Sequence, residues 1–585
     1  MSLICNSCPG HIFHPSYGKR TRNMATYQAR LYVTQPVINA IATSAPTFRR
    51  SANYPPSIWS YDYLQSLSNN FVAKNYETKL HTLKESVRLL IFESSVVDDP
   101  LSALELVDDL QRLGISYHFN EEIRSVLKMI YAYHFKAYDN RHKLNLTLKA
   151  LGFRLLRQHG YNVPQEIIEM GNIMADVEED MVGMLNLYEA SFFGVENENI
   201  LDEAREFTTK CLREKIENNI GDESILMLIS HALELPLLWR VPRFEAMWFI
   251  EAYRRRSNKK SSLLELAELD FNILQGVHQE DLKNLSRWWE GLGWHKKLSF
   301  GRDRLVESFM WSVGASYQAS TLDVTRTTIT KVISLVNVID DMYDVYGTLD
   351  ELEQFTNIVR RWDVNAIEEL PHYMKICFLG LYNTINEMAY NTLTNRELLV
   401  IPHVKKLWID YCEANLVEAR WFNSGYTPTL EEYLKNSCVT ISLPLIISNL
   451  YFLTSSDITG EVTWQNAVQC SAMILRLADD LGTSMAEHKR GDIPKSIQCY
   501  MHESGACEEK AREHIKKLIM ETWKKLNKER VSSSINCSSS SHVVEYATNL
   551  GRMAQFTYQL NDDAFGSPDE CYKSHAISLL FKPKS

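Results

Sequence analysis

Apolar residues recur at intervals of three and four positions almost throughout the chain from about Tyr61 onward, and runs that alternate apolar and polar residues are few. That spacing gathers apolar side chains on one face of an α-helix and disfavours β-strands. Segments such as LSALELVDDLQRLGI and SLLELAELDFNILQGV show the pattern, and several segments end at glycine or before proline, as at Gly114, Gly160 and Pro164. Glycine and proline are residues that stop helices. The helical spacing and these stops together predict an all-α protein.

The 585 residues exceed what one hydrophobic core normally supports, so we expect two helical domains. The polar run RRRSNKKSS favours a boundary that gives an N-terminal domain at 49–262 and a C-terminal domain at 263–585. The serine-rich stretch 532–541 is typical of an exposed loop. The uncharged stretch 436–456 is long enough to span a bilayer, but Pro444 and several polar residues interrupt it. We interpret it as a buried, broken helix and expect no membrane span.

The first 48 residues contain no Asp or Glu, four Lys or Arg, and several Ser and Thr. This composition is typical of an organelle transit peptide for a plastid or mitochondrion, with a retained tail as the alternative. Eleven cysteines without repeated spacing fit a reducing compartment. The net charge of −11 gives no basic surface for nucleic acid, so an anionic substrate would need local cations or metal.

An acidic cluster follows a strongly apolar run in SLVNVIDDMYDVYG. Asp340 and Asp344 are four residues apart and share one helical face, whereas Asp341 points about 100° away. Carboxylates buried at an apolar helix end are costly unless a cation compensates them. Mg²⁺ prefers oxygen ligands and commonly joins one or two carboxylates to substrate phosphates. The cluster therefore indicates a metal site, with a solvated helix end as the alternative.

A second polar cluster lies in ILRLADDLGTSMAEHKRGD, where Asp479, Thr483 and Glu487 follow one another at intervals of four residues. On a helix these three side chains form one row of oxygen donors, which can chelate a metal ion. Arg476 lies one turn before Asp479 and could bind a phosphate through its planar fork. The apolar residues around this row argue against the alternative, a polar stripe that faces solvent.

Two further arginines, Arg302 and Arg304, precede the first cluster by 38 and 36 residues. Near two metal sites, these guanidinium groups would collect the charge of a leaving diphosphate. An Arg-Asp-Arg triplet by itself is common on protein surfaces, so its meaning depends on the neighbouring motifs.

With these motifs in order, the sequence from Arg49 to the C-terminus resembles the plant terpene synthases. The resemblance rests on an aspartate-rich motif (Asp340, Asp341 and Asp344), a second metal motif (Asp479, Asp480, Leu481, Thr483 and Glu487), an arginine motif (Arg302 and Arg304) and a tandem-arginine motif that ends in tryptophan (Arg49, Arg50 and Trp59). It implies an N-terminal α-barrel-like domain without catalytic residues and a C-terminal class I terpenoid synthase helical bundle. Three Mg²⁺ ions are expected in the bundle, with Mn²⁺ as an alternative metal.

The resemblance also implies residue roles. The implied metal ligands are Asp340, Asp341, Asp344, Asp479, Thr483 and Glu487. The implied substrate contacts are Arg302, Asp340, Asp344, Arg476 and Asp479, and the implied catalytic residues are Arg302, Arg304, Trp311, Tyr558, Arg49 and Arg50. Trp311 and Tyr558 would line an apolar pocket that keeps water from a carbocation, although core packing is the alternative for both.

The tandem arginines and the transit peptide together imply the monoterpene branch. The expected enzyme is a lyase of the plastid stroma, active as a monomer or weak homodimer. It would release diphosphate from geranyl diphosphate and form an acyclic, monocyclic or hydroxylated monoterpene such as linalool, myrcene, ocimene or α-terpineol. The N-terminal half contains no Asp-x-Asp-Asp motif, so we expect ionisation rather than protonation to start the reaction.

The sequence departs from relatives at four positions. Leu560 and Ala564 stand where many cyclising relatives carry histidines, which puts a final proton transfer to those histidines in doubt. Leu335 and Leu475 stand where isoprene-forming relatives carry phenylalanines, so a five-carbon substrate is not expected. The alternatives are a sesquiterpene synthase acting on farnesyl diphosphate, a chain-elongating prenyltransferase, and a non-catalytic helical scaffold that binds prenyl diphosphates.

Overall fold

The computed structural model describes residues 49–71, 73–136, 144–171, 180–318, 323–455, 458, 465–536, 541–558, 565–566 and 570–584. Helices joined by turns and short loops make up these ranges, and no β-strand occurs in them, which confirms the predicted all-α fold. The transit-peptide interpretation of residues 1–48 and the expectations for Leu560 and Ala564 concern parts of the chain outside the described residues.

The N-terminal half is built from helices of moderate length. They are α1 (Tyr61–Ser66), α2 (Ala73–Glu93), α3 (Pro100–Arg112), α4 (Asn120–Ile130), α5 (Leu146–Gln158), α6 (Met181–Ser191), α7 (Asn199–Glu217), α8 (Glu223–Glu234) and α9 (Pro242–Arg255). Short 3₁₀ segments lie at Ser116–His118, Gln165–Ile167 and Leu237–Trp239, and a π-helical turn lies at Tyr131–Phe135. Helix α6 packs between α5 and α7.

The C-terminal half begins with a long helix and continues as a bundle. Its helices are α10 (Ser261–Leu292), α11 (Trp294–Lys297), α12 (Leu305–Ala315), α13 (Asp323–Asp341), α14 (Leu349–Arg361), α15 (His372–Arg396), α16 (Ile401–Ser424), α17 (Leu430–Thr440), α18 (Leu443–Thr454), α19 (Gln465–Arg490), α20 (Ser496–Ser504), α21 (Glu508–Asn536), α22 (Ser541–Tyr558) and α23 (Glu570–Leu580). A π-helical turn at Met342–Tyr346 follows α13, and a 3₁₀ segment at Val364–Glu369 precedes α15. Contacts run from α12 to α13, α18, α19, α22 and back to α12, which closes a ring of helices.

Local signals in the sequence explain where these helices begin and end. Asp99 accepts a hydrogen bond from the backbone N–H of Ser102 at 3.1 Å and so caps the start of α3. After α3 and α5 the chain passes through Gly114 and Gly160, whose φ angles are 74° and 83°. Glycine adopts this left-handed conformation without steric cost, which confirms both predicted helix stops.

The two halves pack into one compact unit that spans 49–585. The Asn527 side chain on α21 donates to the carbonyl oxygens of Phe192 and Gly194, both at 2.9 Å. Arg552 on α22 donates to the carbonyl oxygen of Leu238 at 2.8 Å. The predicted domain boundary at 262/263 falls in the first turn of α10. The division into two domains therefore stays a prediction.

Two further sequence interpretations concern the late helices. Within Leu430–Thr454, a window of 18 residues has a mean hydropathy of 1.6, and 67% of that window is buried. The stretch is broken at Ser442, whose φ is 64°, as expected for a buried, broken helix. The predicted loop at 532–541 is wrong for 532–536, because α21 continues to Asn536. Ser532 and Ser533 donate their hydroxyls to backbone carbonyls of the same helix, which satisfies them without a loop.

A buried ion pair anchors the start of α13, the helix that carries the aspartate-rich motif. Arg326 donates from Nε to Asp281 of α10 at 2.7 Å, and only 1% of the Arg326 side chain is exposed. We expect Asp281→Asn to lower the free energy of unfolding by about 3–5 kcal/mol, because it removes the carboxylate that compensates a buried charge. Urea denaturation measures this change.

The neighbouring Glu280 provides the matched control. It is 61% exposed, and its ion pairs with Lys283 and Arg287 are 3.7 and 3.8 Å long. Glu280→Gln should change the unfolding free energy by less than about 1 kcal/mol. Equal effects of the two substitutions would contradict an anchoring role for Asp281.

Candidate active site

The aspartate-rich motif lies where α13 ends and widens into the π-helical turn. Asp340 is the penultimate residue of α13, and Asp344 lies in the turn. π-Helical turns often occur at functional sites. Burial raises the pKa of Asp344 well above its ordinary value, and the nearby Asp340 carboxylate raises it further. Solvent nevertheless reaches Asp344. A carboxylate that protein atoms surround and that solvent still reaches lies in a recess, so the Asp344 carboxylate faces a recess of the protein surface.

Asp341 is buried against the segment that precedes α12. Its Oδ2 accepts a hydrogen bond from the backbone N–H of Arg302 at 2.7 Å, and its Oδ1 is 2.9 Å from Arg302 Nε. Burial raises the pKa of Asp341 to about 6, although Arg302 opposes the increase. Arg302 Nη2 also donates to Asp340 at 2.7 Å. Arg302 therefore lies on the aspartate-rich motif, and both carboxylate oxygens of Asp341 face Arg302.

Helix α19 carries the second motif and is continuous through Asp479, Thr483 and Glu487, as the spacing predicted. The Thr483 hydroxyl donates to the carbonyl oxygen of Asp479 at 2.9 Å, which leaves its lone pairs available to a cation. Arg476 forms ion pairs with Asp479 and with Asp480, the latter at 2.8 Å. Burial raises the pKa of Asp479 to about 7, although Arg476 opposes the increase.

Lys495 joins the two motifs electrostatically, and the sequence analysis did not single it out. Its Nζ is 3.8 Å from Glu487 Oε2. Burial alone would lower the pKa of Lys495, but the Glu487 and Asp344 carboxylates raise it above its ordinary value. The next residue, Ser496, donates its backbone N–H to the fully buried Asp480 at 3.0 Å, which fixes this segment. The only signal for Lys495 in the sequence is its place in the polar segment directly after the second motif.

Arg50 forms a second connection between the motifs. Its guanidinium donates to the carbonyl oxygen of Asp344 at 3.1 Å and to Asp492 Oδ1 at 2.7 Å. Asp492 in turn donates its backbone N–H to the carbonyl oxygen of Glu487 at 3.1 Å. The N-terminal segment therefore lies across both acidic motifs, which are brought together at one end of the bundle.

Arg49 is held beside Arg50 by a different set of contacts. Both of its terminal nitrogens donate to Glu351 at 2.8 Å, and one also donates to the carbonyl oxygen of Tyr346 at 3.1 Å. The guanidinium lies 4.7 and 4.9 Å from the ring centres of Tyr346 and Tyr373. Burial raises the pKa of Glu351, but the hydrogen bonds from Arg49 and other donors outweigh it and lower this pKa to about 2. Arg49 thus fastens the N-terminal segment next to the aspartate-rich motif.

The structure places Arg304 differently from Arg302. Its guanidinium donates to the carbonyl oxygens of Pro55, Phe565 and Gly566 at 2.9 to 3.0 Å. It is almost fully buried and forms no ion pair with a carboxylate in the described ranges. The phosphate contact that the sequence suggested for Arg304 therefore remains a prediction with no geometric support.

Aromatic side chains adjoin the second motif. The Trp311 ring on α12 lies 6.5 Å from the ring of Tyr558 and 5.7 Å from that of Phe565, measured between centroids. A Cβ added at Gly482 would lie 3.2 Å from Tyr558 Cβ, so the end of α22 approaches α19 closely beside Thr483. The two aromatic residues predicted from the sequence are thus neighbours, and Tyr558 lies beside α19.

The donor set fits a magnesium site that substrate completes. The raised pKa values of Asp344 and Asp479 reflect carboxylates that lack enough compensating positive charge. Within the ranges that the structure describes, no group of three or more His, Cys, Asp or Glu residues is arranged to hold an ion alone. Mg²⁺ is typically bound by one or two carboxylates together with substrate phosphates and water. The few carboxylates of each motif are enough for an ion of this kind.

Comparison with known proteins agrees with this geometry. The family model for the terpene synthase N-terminal domain matches residues 58–233, and the model for the metal binding domain of the terpene synthase family matches residues 290–525. The chain is 51% identical to the chloroplastic R-linalool synthase QH1 of Artemisia annua, over 95% of this chain and 98% of the relative.

Two solved structures resemble this chain over most of its length. A limonene synthase with 2-fluorolinalyl diphosphate is 40% identical and superposes with a TM-score of 0.86, over 92% of this chain and 100% of that one. Isoprene synthase from grey poplar leaves, in complex with three Mg²⁺ ions and dimethylallyl-S-thiolodiphosphate, is 42% identical with a TM-score of 0.80, over 90% and 99% of the two chains. Both domain models match and the likeness extends over nearly the full length, so the chain belongs to the terpene synthase family.

Proposed function

We propose that this protein is a plastid monoterpene synthase, a lyase that releases diphosphate from geranyl diphosphate. The observation that carries the proposal is the bridge that Arg50 forms between the two acidic motifs, so that both can act on one diphosphate. The limonene synthase bound to a fluorinated linalyl diphosphate and the similarity to a linalool synthase support a ten-carbon substrate.

The residues around the recess divide the work of diphosphate binding. Mg²⁺ would be held by Asp340, Asp344, Asp479, Thr483 and Glu487. Asp341 would keep Arg302 in place or act as a further metal ligand. When bound, Mg²⁺ supplies positive charge that stabilises the departing diphosphate. The cationic groups of Arg302, Arg476 and Lys495 lie beside the carboxylates of the two motifs. A diphosphate held there by Mg²⁺ would be within their reach, so these three residues would bind its phosphate oxygens.

The hydrocarbon part of the substrate needs a dry, electron-rich environment once it becomes a carbocation. Trp311, Tyr558 and Phe565 supply aromatic faces beside the carboxylate row, each worth about 0.5–2 kcal/mol of cation–π attraction. Exclusion of water from this wall decides how far the cation rearranges before it is quenched.

The N-terminal segment would close the site. Arg49 and Arg50 fasten it beside Tyr346 and Asp344, so the segment can shield the reacting diphosphate from solvent. By resemblance, the two arginines would also assist the isomerisation of geranyl to linalyl diphosphate. Linalool, myrcene, ocimene or α-terpineol are the products that we propose.

The remaining expectations concern processing and assembly. We infer that residues 1–48 direct the chain to the plastid stroma, which the chloroplastic relative supports. The mature chain would act as a monomer or weak homodimer with domains at 49–262 and 263–585.

Turnover of three prenyl diphosphates by a protein that starts at Arg49 tests the proposed function. With Mg²⁺, we expect kcat/KM for geranyl diphosphate to exceed that for farnesyl and dimethylallyl diphosphate by about tenfold or more, because pocket volume discriminates chain length. Mn²⁺ should support turnover as well. Chiral gas chromatography identifies the products. Preference for farnesyl diphosphate would favour a sesquiterpene synthase, and no diphosphate release at all would favour a binding scaffold.

A further inference from the structure

Arg304 holds two segments that are far apart in sequence. Its Nη2 donates to the carbonyl oxygen of Pro55 at 3.0 Å and to that of Gly566 at 2.9 Å, while its Nε donates to that of Phe565 at 2.9 Å. Only 2% of the residue is exposed. A planar guanidinium offers five donors in fixed directions, so it can serve several carbonyl oxygens at once.

The segment that contains Pro55, residues 49–60, is here called the strap. One side of the strap borders a cavity of about 450 Å³, whose other side includes Trp289, Leu298 and Val306. The strap is therefore not packed continuously onto the bundle beneath it. Its position depends on separate anchors: Arg49 and Arg50 at one end, Pro55 in the middle, and Trp59 at the other end.

The anchors at Pro55 and Trp59 both meet the start of α12. Trp59 Nε1 donates to Glu307 Oε1 at 3.3 Å, and the Glu307 side chain is buried. Arg304 lies directly before α12, and Glu307 and Trp311, four residues apart, share one face of the helix. Arg304 and Glu307 contact the strap, and Trp311 contacts the Phe565 ring.

We propose that Arg304 is a positioning residue that ties the strap to the Phe565–Gly566 turn. Through this tie, the position of the strap sets how Phe565 lies on Trp311, and thus the shape of the aromatic wall that guides the carbocation. Arg304 does this through four hydrogen bonds to backbone carbonyl oxygens, one of them to the adjacent Asp303, rather than by binding diphosphate. The inference rests on the proposed function for its effect on product, but the tie itself can be measured without turnover.

Hydrogen exchange of the full mature protein tests the tie directly. In Arg304→Gln, we expect amide exchange to become at least about tenfold faster in strap peptides and in peptides that contain Phe565, because both lose a buried anchor. Trp59→Phe should speed exchange in the strap but not in peptides that contain Phe565, since it removes the bond to Glu307 and part of the ring that packs on Phe581, and none of the Arg304 bonds. The matched control is Arg396→Gln, because Arg396 also donates to backbone carbonyls, at Thr454 and Ser455, away from the strap. It should leave exchange in both segments unchanged.

Product analysis then tests the consequence. With geranyl diphosphate, Arg304→Gln should reduce diphosphate release by no more than about tenfold while the share of minor products rises, because positioning rather than ionisation is impaired. Arg304→Lys keeps the charge and the stem and serves where Gln does not fold. It should loosen the same two segments to a smaller extent, because an ammonium lacks the planar fork.

Several outcomes would overturn the proposal. Faster exchange in only one segment contradicts the tie. An unchanged product distribution when both segments loosen contradicts its effect on the aromatic wall. A loss of diphosphate release on the order of 10³-fold with unchanged exchange would put Arg304 on the diphosphate instead. If the wild-type protein releases no diphosphate, the proposed function fails, whereas the exchange results still decide the tie.

Discussion

Asp344→Asn should lower the rate of diphosphate release from geranyl diphosphate on the order of 10³-fold, because the amide keeps the shape but removes a charged metal ligand. The Asp344 carboxylate faces the recess, and burial together with Asp340 already makes its negative charge costly without a cation. The same substitution should weaken Mg²⁺-dependent binding of inorganic diphosphate. Steady-state kinetics and calorimetry measure the two effects.

Asp350→Asn is the control for this substitution. Asp350 lies six residues further along the chain, on the exposed face of the first turn of α14. It should retain nearly full activity, and both variants should keep the helical circular dichroism spectrum. Full activity in Asp344→Asn would remove this carboxylate from the set of metal ligands.

Removal of both strap arginines should have the second largest effect. A protein that starts at Ser51 should turn over geranyl diphosphate about 100-fold more slowly than one that starts at Arg49, because a loosely held strap misplaces the reacting groups. The protein that starts at Ser51 loses the contacts with Glu351, Asp492 and the Asp344 carbonyl oxygen. The loss should be much smaller with linalyl diphosphate, which has already passed the isomerisation step. Product formation from the two substrates measures the difference.

A protein truncated just before Arg49 provides the reference, and Arg88→Gln controls for the loss of a guanidinium in an ion pair elsewhere on the surface. Equal losses with geranyl and linalyl diphosphate would speak against an isomerisation role. They would leave only a general role of the strap in closing the site.

The sequence was sufficient for the family, the all-α fold and the positions of both acidic motifs, because these depend on local spacing. Helical periodicity and carboxylates at fixed intervals are visible without any knowledge of tertiary contacts. The glycine stops after α3 and α5 follow the same local logic. The serine stretch shows its limit, since α21 continues through Ser532 and Ser533 by means of hydroxyl bonds to its own carbonyls.

Roles that depend on long-range contacts could not be predicted in this way. Arg302 and Arg304 are two residues apart, yet one faces Asp340 and Asp341 while the other binds backbone carbonyls from both ends of the chain. Lys495 gains its position from the buried bond between Asp480 and Ser496. No local pattern distinguishes such residues from ordinary surface cations.

The central claim is that both acidic motifs act together on one diphosphate group. The most direct measurement is anomalous diffraction from crystals of the protein starting at Arg49, grown with Mn²⁺ and inorganic diphosphate. We predict Mn²⁺ peaks on both motifs, at Asp340 or Asp344 and at Asp479, Thr483 and Glu487, with one diphosphate bridging them. Metal on only one motif, or a diphosphate that contacts neither, would contradict the claim.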